Sequence, residues 1–325
     1  MNRACVLVTG GAGYIGSHAC KALAGAGYRP VVYDNLSRGH RGAVRWGAFE
    51  EGDLLDGDRL RDALTRHAPA AVLHFAALAY VGESVTHPGR YWRNNVSGSL
   101  SLLEAMRQCG VGRIIFSSSC ATYGQPRQIP ITEAHPQQPV NPYGESKLAV
   151  ERMLEGFRTA HGIQSVALRY FNAAGSDPQG EIGEDHDPEP HLIPRALLAA
   201  AERADALEVY GDDWETRDGT CVRDYIHVED LADAHLRALA ALERGAAPAA
   251  CNLGNGRGFT VKEVIAAAAR VTGRQVPHRF VARRPGDPAE LVGSAELARR
   301  ALGWTPRHAD LDGMVETAWN WLRRK

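Results

Sequence analysis

With 325 residues, 44% of them apolar, the chain is long enough for a large α/β domain with a smaller one beside it. Its 37 basic and 38 acidic side chains are interspersed and sum to a net charge of −1, which excludes the basic footprint of a nucleic-acid binder. The six cysteines include no C-x-x-C pair, which excludes the usual zinc and redox motifs and points to reduced thiols in a cytoplasmic setting. The chain runs from its start straight into a strand pattern, with no signal-peptide features, and no apolar run approaches the roughly 20 residues of a membrane span.

In chain order, Ala4–Thr9 is a short apolar run ending in glycines, and Tyr14–Gly25 has helical character. Pro30–Tyr33 is the second strand and Ala71–Phe75 a later one. Tyr91–Cys109 is predicted as one long helix, followed by a strand at Arg113–Ser117, a helix at Tyr143–Ala160 and a strand at Ser165–Arg169. This alternation predicts a Rossmann-type, doubly wound parallel sheet with helices on both faces. Past Asn172 the texture changes. Residues Ala173–Pro194 are rich in Gly, Asp, Glu and Pro and read as an irregular loop, long enough to suggest a functional role. Shorter helices follow at Leu192–Ala201, Val261–Val271 and Asp312–Leu322, while Val228–Leu242 is suited to return to the first domain. The expected division is 1–172 plus about 225–252 for one domain. Residues 173–224 and 253–325 make a smaller C-terminal α/β domain.

The stretch Val8–Gly16 reads V-T-G-G-A-G-Y-I-G, with Gly10, Gly13 and Gly16 spaced three apart between a strand and a helix. Gly10 permits the tight turn, Gly13 lets backbone approach a pyrophosphate, and Gly16 lets the helix pack on the sheet. The helix N-terminus offers N–H groups and partial positive charge to phosphate. Asp34 ends the second strand, 18 residues after Gly16, where a carboxylate accepts hydrogen bonds from a ribose and repels a further phosphate. The cofactor expected from these residues is NAD rather than NADP. Arg38 reads as a solvated loop arginine, and Asp53 either as an adenine contact or as a turn-forming aspartate.

Tyr143 and Lys147 are four apart at the start of a helix and share one face. An ammonium near a phenol favours the phenolate, so Lys147 is expected to lower the Tyr143 pKa and make it a general base. Ser117-Ser118-Ser119 closes a sheet strand at its carboxyl end, where open α/β sheets bind ligands; which serine acts is open from the residues alone.

Together Gly10–Gly16, Asp34, Ser119, Tyr143 and Lys147 resemble the extended short-chain dehydrogenase/reductase family. Further segments, in order, are similar to the UDP-glucose 4-epimerases over nearly the whole chain. They are Gly10–His18, Asp34–Leu36, His74–Ala77, Val81–Val85, Phe116–Gly124, Asn141–Lys147, Arg169–Asn172, Asp218–His227, Asn252–Gly254 and Arg283–Asp287. The resemblance implies Ser119, Tyr143 and Lys147 as the catalytic residues. It implies NAD contacts at Gly10, Gly13, Tyr14, Ile15, Gly16, Asp34, Asn35, Leu36, Ser37, Asp53, Leu54, Phe75, Ala76, Ala77, Asn94, Tyr143, Lys147 and Phe171. It implies that Ser119, Tyr143, Asn172, His191, Leu192, Arg223, Arg284, Asp287 and Leu291 hold a UDP-sugar. Arginine forks at 223 and 284 suit a diphosphate.

The implied activity is inversion at C4 of a UDP-hexose through a transient 4-keto sugar, in a symmetric homodimer with no nucleic-acid or membrane partner. Alternatives are another UDP-sugar, N-acetylated or pentose; a sugar 4,6-dehydratase, disfavoured because Cys120-Ala121-Thr122 stands where such relatives carry an Asp-Glu pair; and a non-catalytic dinucleotide sensor. Ala79 replaces a lysine of some relatives, and His191 stands where others have asparagine. Glu184-Asp185-His186-Asp187 reads as a solvated loop, with no metal expected.

Overall fold

The structure, a computed structural model, describes residues 4–284 and 286–325; Pro285 of the Arg283–Asp287 segment lies outside the described residues. The strands in chain order are β1 (Cys5–Thr9), β2 (Arg29–Asp34), β3 (Ala48–Glu51), β4 (Ala71–His74), β5 (Arg113–Ser119) and β6 (Gln164–Tyr170). They continue with β7 (Asn172–Ala174), β8 (Leu207–Tyr210), β9 (Val222–His227), β10 (Ala250–Leu253), β11 (Gly258–Thr260), β12 (His278–Val281) and β13 (Glu290–Leu291).

Seven of these form one parallel sheet in the order β3-β2-β1-β4-β5-β6-β10. Because strand side chains alternate, β1 sends Val6 and Val8 to one face and Cys5 and Leu7 to the other. The Val6 face is covered by helix Tyr14–Gly25 through Ala19, Cys20 and Leu23, and by helix Val228–Glu243 through Leu231, Ala234, Ala238 and Leu239. The Leu7 face is covered by helices Gly57–His67, Gly98–Gln108 and Pro142–His161 through Leu60, Leu64, Leu103, Met106, Val150 and Leu154. This is the doubly wound arrangement expected, with Val228–Glu243 packed on the large sheet.

A second layer forms around β9, which pairs with β7, β11 and β13, and β8 pairs with β12. Its core joins Ile193 and Leu197 to Val264, Ala268, Met314 and Val315. Helix Val261–Thr272 opens on a reciprocal cap: Thr260 accepts from the Glu263 N–H while the Glu263 carboxylate accepts from the Thr260 N–H.

Two expected elements differ. The helix from Tyr91 is not uniformly α: Trp92–Ser97 makes a wider π turn between Pro88–Tyr91 and Gly98–Gln108. The wide turn carries Asn95 inward, where its Oδ1 accepts from Leu78 N at 2.8 Å and its Nδ2 donates to Leu78 O and Ser146 Oγ, both at 3.0 Å. The stretch after Asn172 is irregular only from Gly175 onward, because Asn172–Ala174 finds a pairing partner in Tyr225–His227, distant in sequence. Among the described residues no helix is long and apolar enough to cross a membrane.

Candidate active site

Parallel pairing brings the carboxyl ends of β1, β4, β5 and β6 to one edge, and the predicted residues gather there. Gly10 has φ +73°, and a β-carbon there would lie 2.5 Å from Ala76 N. A β-carbon on Gly16 would collide with the Gly10 carbonyl. Gly13 caps helix Tyr14–Gly25 with no side-chain hydrogen bond, and a β-carbon there would crowd Gly10 O at 3.3 Å, so the first N–H groups, at Tyr14 and Ile15, are left for an outside acceptor. That uncapped helix end under a glycine turn fits a dinucleotide diphosphate.

Asp34 lies beside it, buried, with Oδ2 accepting from Ala12 N at 3.0 Å and Oδ1 from Leu36 N at 2.8 Å. Burial raises its pKa against those two bonds. Each oxygen keeps a lone pair for a ribose hydroxyl. Asp53 takes the turn-forming role weighed above: Oδ1 accepts from Leu55 N at 2.8 Å and Oδ2 from Asn35 Nδ2 at 2.7 Å. Asn35 Oδ1 in turn accepts from the Ser37 N–H, and Leu54 is buried against Gly98. Phe75 and Ala76 both donate their N–H to Thr9 O, which carries Ala76 against Gly10 and Ala77 into the same turn. Asn94, in the π turn, bonds Asn95 rather than open space. Arg38 is engaged, with Nη2 3.0 Å from Glu83 Oε1 and its guanidinium over the Tyr80 ring.

The three serines separate by partner. Ser117 Oγ pairs with Tyr170 OH, and Ser118 Oγ donates to Glu151 Oε1 at 2.5 Å. Ser119 Oγ accepts from Ala121 N at 3.1 Å, and Ser119 is the serine near enough to the Tyr143 phenol to pull its pKa down. Helix Pro142–His161 delivers Tyr143 and Lys147 together; Asn141 caps it by accepting from Gly144 N at 2.9 Å, and Pro142 suits its first turn. Lys147 Nζ donates to Ser117 O at 2.7 Å and lies 5.8 Å from the Tyr143 ring centre.

Burial works against the expectation that Lys147 lowers the Tyr143 pKa. It pushes the phenol up to about 12, with Ser119 pulling the other way. The same burial takes the Lys147 amine down to about 7, so the amine is already neutral before the phenol titrates.

On the far side, Phe171 packs with Cys120, Tyr123 and Ile131, and Leu291 lies half-buried against this group. Leu291 pairs with Arg223 in the β9–β13 register, and Arg223 donates to Pro288 O at 3.0 Å. Asn172 is half-buried beside Phe171. Arg284 stacks over Tyr210 and bonds Asp287 at 3.1 Å, so it is held by an internal partner as well as free to offer its other N–H groups. Helix Leu192–Ala200 begins at His191 without a side-chain cap.

The reading of residues 184–187 as a solvated loop holds for Asp187, which is exposed, and fails for Glu184 and His186. Glu184 and His186 are largely buried together with Glu189, and Trp321 Nε1 donates to Glu184 O at 2.8 Å. The aromatic covers, Tyr14, Tyr80 and Trp321, come from distant parts of the chain, so no local pattern announces the burial.

The family described as the NAD dependent epimerase/dehydratase family matches residues 6–254. The chain belongs to that family. It is 54% identical over 316 residues to a UDP-glucose 4-epimerase of Rhizobium leguminosarum bv. trifolii, covering 97% of this chain and 96% of the relative. The crystal structure of UDP-glucose 4-epimerase from Brucella ovis in complex with NAD superposes with a TM-score of 0.96 at 56% identity, covering 98% of each chain. A UDP-glucose 4-epimerase from Stenotrophomonas maltophila with bound NAD and formylated UDP-arabinopyranose gives 0.95 at 42% identity, covering 99% of this chain and 98% of the other. The turn after Ser119 holds Cys120, whose thiol burial pushes up to about 12, and Thr122, which donates to Ser119 O at 3.0 Å. Neither supplies the acid and base of an elimination.

Proposed function

We propose that the chain is an NAD-dependent isomerase that inverts C4 of a UDP-hexose, interconverting UDP-glucose and UDP-galactose. The observation that carries this reading is the Tyr143 phenol against the Ser119 hydroxyl at the sheet edge, with Lys147 on the same helix face and the uncapped glycine turn beside them. The names of relatives at about half identity over nearly the whole chain support it.

NAD, when bound, accepts the hydride from C4 and returns it. The chain's own part is proton transfer and orientation. Tyr143 takes the proton of the 4-hydroxyl and later gives it back, and Ser119, beside the phenol at the sheet edge, steadies that hydroxyl. Lys147 holds the strand end beside the phenol through its bond to Ser117 O. The UDP half is held away from the reacting carbon by Arg223, Arg284, Asp287, Asn172 and the open helix end at His191 and Leu192. An anchor at that distance leaves the 4-keto sugar free to turn over and present its other face.

Residues 1–172 with about 225–252 serve the dinucleotide in this reading. Residues 173–224 and 253–325 serve the UDP-sugar. A homodimer is supported by the exposed apolar side chains Trp92 and Leu100 along the helix that follows Tyr91, and a cytoplasmic location by six unpaired cysteines. The test is incubation with a panel of UDP-sugars and separation of the epimers, with acid release of the bound nucleotide. Interconversion of the glucose and galactose forms with NAD or NADH released is expected. Bound NAD with no epimer formed from any sugar would make the chain a dinucleotide sensor instead.

A second reading rests on Leu291, which is smaller than an aromatic ring and lies against Phe171 and Cys120. An apolar wall of that size admits an N-acetyl group at the sugar 2-position, giving a second activity on the N-acetylated pair.

A further inference from the structure

The loop that departs in part from the sequence reading brings four side chains to one point. Glu184, His186, Glu189 and His191 each offer one ligand atom, and these atoms lie within 4.8 Å of one another. His186 Nδ1 is 3.1 Å from Glu184 Oε1 and 3.5 Å from Glu189 Oε2. His191 Nδ1 is 2.6 Å from Glu184 Oε1 and 3.1 Å from Glu189 Oε1. For a tetrahedral ion with bonds of about 2.0–2.2 Å, ligand atoms stand roughly 3.3–3.6 Å apart. Three of the four separations, 3.1, 3.5 and 3.1 Å, are near this, and the 2.6 Å His191–Glu184 pair would open on binding.

A second observation is independent of that spacing. The Glu184 side chain is only 7% exposed, yet its Oε1, like His186 Nδ1, is buried with no properly directed hydrogen bond. His191 Nδ1 hydrogen-bonds Glu189 Oε1 at 3.1 Å, whereas Glu184 Oε1 and His186 Nδ1 are close neighbours without such a bond, as atoms aimed at a common centre are. A buried carboxylate oxygen left this way costs about 1–3 kcal/mol or more unless something else satisfies it. The other histidine-carboxylate group, His227, Glu229 and His308, differs in this respect. There His227 uses both ring nitrogens, accepting from Glu229 N at 3.2 Å and pairing with Thr317 Oγ1 at 3.0 Å.

We propose that Glu184, His186, Glu189 and His191 bind a divalent transition-metal ion of the zinc class. Two neutral imidazoles and two carboxylates match the ligand preferences of zinc and balance its charge in a buried site. The alternative way to balance the two carboxylates is protonation of both histidines, and the experiment separates the two.

The position gives the ion a structural role. Tyr14 presents its ring edge-on to His186 at 6.3 Å, and Tyr80 does so to His186 at 5.7 Å and His191 at 6.3 Å. His40 Nε2 pairs with Asp185 O at 2.7 Å. The ion therefore ties the loop that starts helix Leu192–Ala200 to the turn that starts helix Tyr14–Gly25, joining the two uncapped helix ends assigned to substrate and cofactor.

The test uses the full-length protein, treated with chelator and titrated with zinc chloride against a chromophoric chelator. One zinc per chain and a zinc-dependent rise in Tm are expected. The Glu184→Gln/His186→Gln pair should weaken binding by more than about a hundredfold, beyond the 10–100-fold of changes to groups outside the ligand set. Cobalt substitution of the unaltered protein keeps the test independent of whether that variant folds. It should give visible bands of a tetrahedral ion without the thiolate charge-transfer band that binding at Cys109 or Cys221 would add. Absence of stoichiometric zinc in the unaltered protein, a thiolate band, or unchanged zinc binding in the folded double variant would each overturn the site.

Discussion

Replacing Lys147 by methionine separates what this lysine does for chemistry from what it does to the fold. The amine is 3% exposed, and burial takes its pKa down to about 7 from the ordinary ~10.4. Between those two values the unfolded chain binds a proton that the folded chain does not, so stability rises with pH across this window and is lost as pH falls through about 7. A displacement of about 3.4 units at ~1.36 kcal/mol each is about 4–5 kcal/mol of destabilisation below pH 7. Methionine removes that penalty but also the hydrogen bond to Ser117 O at 2.7 Å, a charge-assisted bond. Such a bond is worth roughly 1.5–3 kcal/mol. The variant is therefore expected to be more stable than the parent by about 2 kcal/mol at pH 6.5 and less stable at pH 10. Urea unfolding without added nucleotide, at several pH values, measures this. The parent-minus-variant difference should change by about 4 kcal/mol between those two pH values. Parallel pH profiles would refute the argument, since they would mean that the buried amine titrates as in water. Turnover should move oppositely: the variant loses the amine that fixes Ser117 O beside Tyr143, so kcat should fall even where the fold is more stable.

Tyr143→Phe should lower kcat by about 10²–10⁴ while leaving NAD bound and Tm within a few degrees, because Ser119 Oγ keeps its bond from Ala121 N. Turnover within tenfold of the parent would remove Tyr143 from the chemistry. Gly16→Ala should lose bound NAD and stability together, since the added methyl meets the Gly10 carbonyl; nucleotide released by acid from a well-folded variant at the parental level would refute this. Leu291→Tyr should lower kcat/KM for the N-acetylated sugars at least tenfold more than for UDP-glucose and UDP-galactose, within the discrimination an apolar wall provides. An equal fall for both pairs would mean that Leu291 supports the packing around Phe171 instead.

What the sequence makes legible here is local. The glycine turn, Asp34 at a strand end and the four-residue spacing of Tyr143 and Lys147 each depend on neighbours a few residues away, and each lies where it was expected. The choice among three serines was not local: it depends on Tyr170 taking Ser117, Glu151 taking Ser118, and Tyr143 facing Ser119. The protonation order of Tyr143 and Lys147 was also out of reach, because spacing shows that two groups share a face but not how dry that face is. The histidine-carboxylate cluster failed for a related reason. An acidic stretch with interspersed histidines looks solvated until Tyr14, Tyr80 and Trp321 are seen to close over it.

The order in which the large sheet is completed has a consequence for synthesis. Six of its strands are made by residue 170, but β10 and helix Val228–Glu243, which covers Val6, Val8, Leu73, Ile115 and Val166, follow only by residue 253. At ribosomal speeds of about 5–20 residues per second, those intervening 83 residues take roughly 4–17 s. For that interval the nascent chain carries an aliphatic face covered only in part, by helix Tyr14–Gly25, and an unpaired edge at β6, the two features that recruit holdase chaperones and promote self-association. Nascent chains stalled near residue 200 should therefore be protease-sensitive in β6, and those released past residue 253 should not. The demand on chaperones is set by the late return of one helix and one strand rather than by the stability of the finished protein.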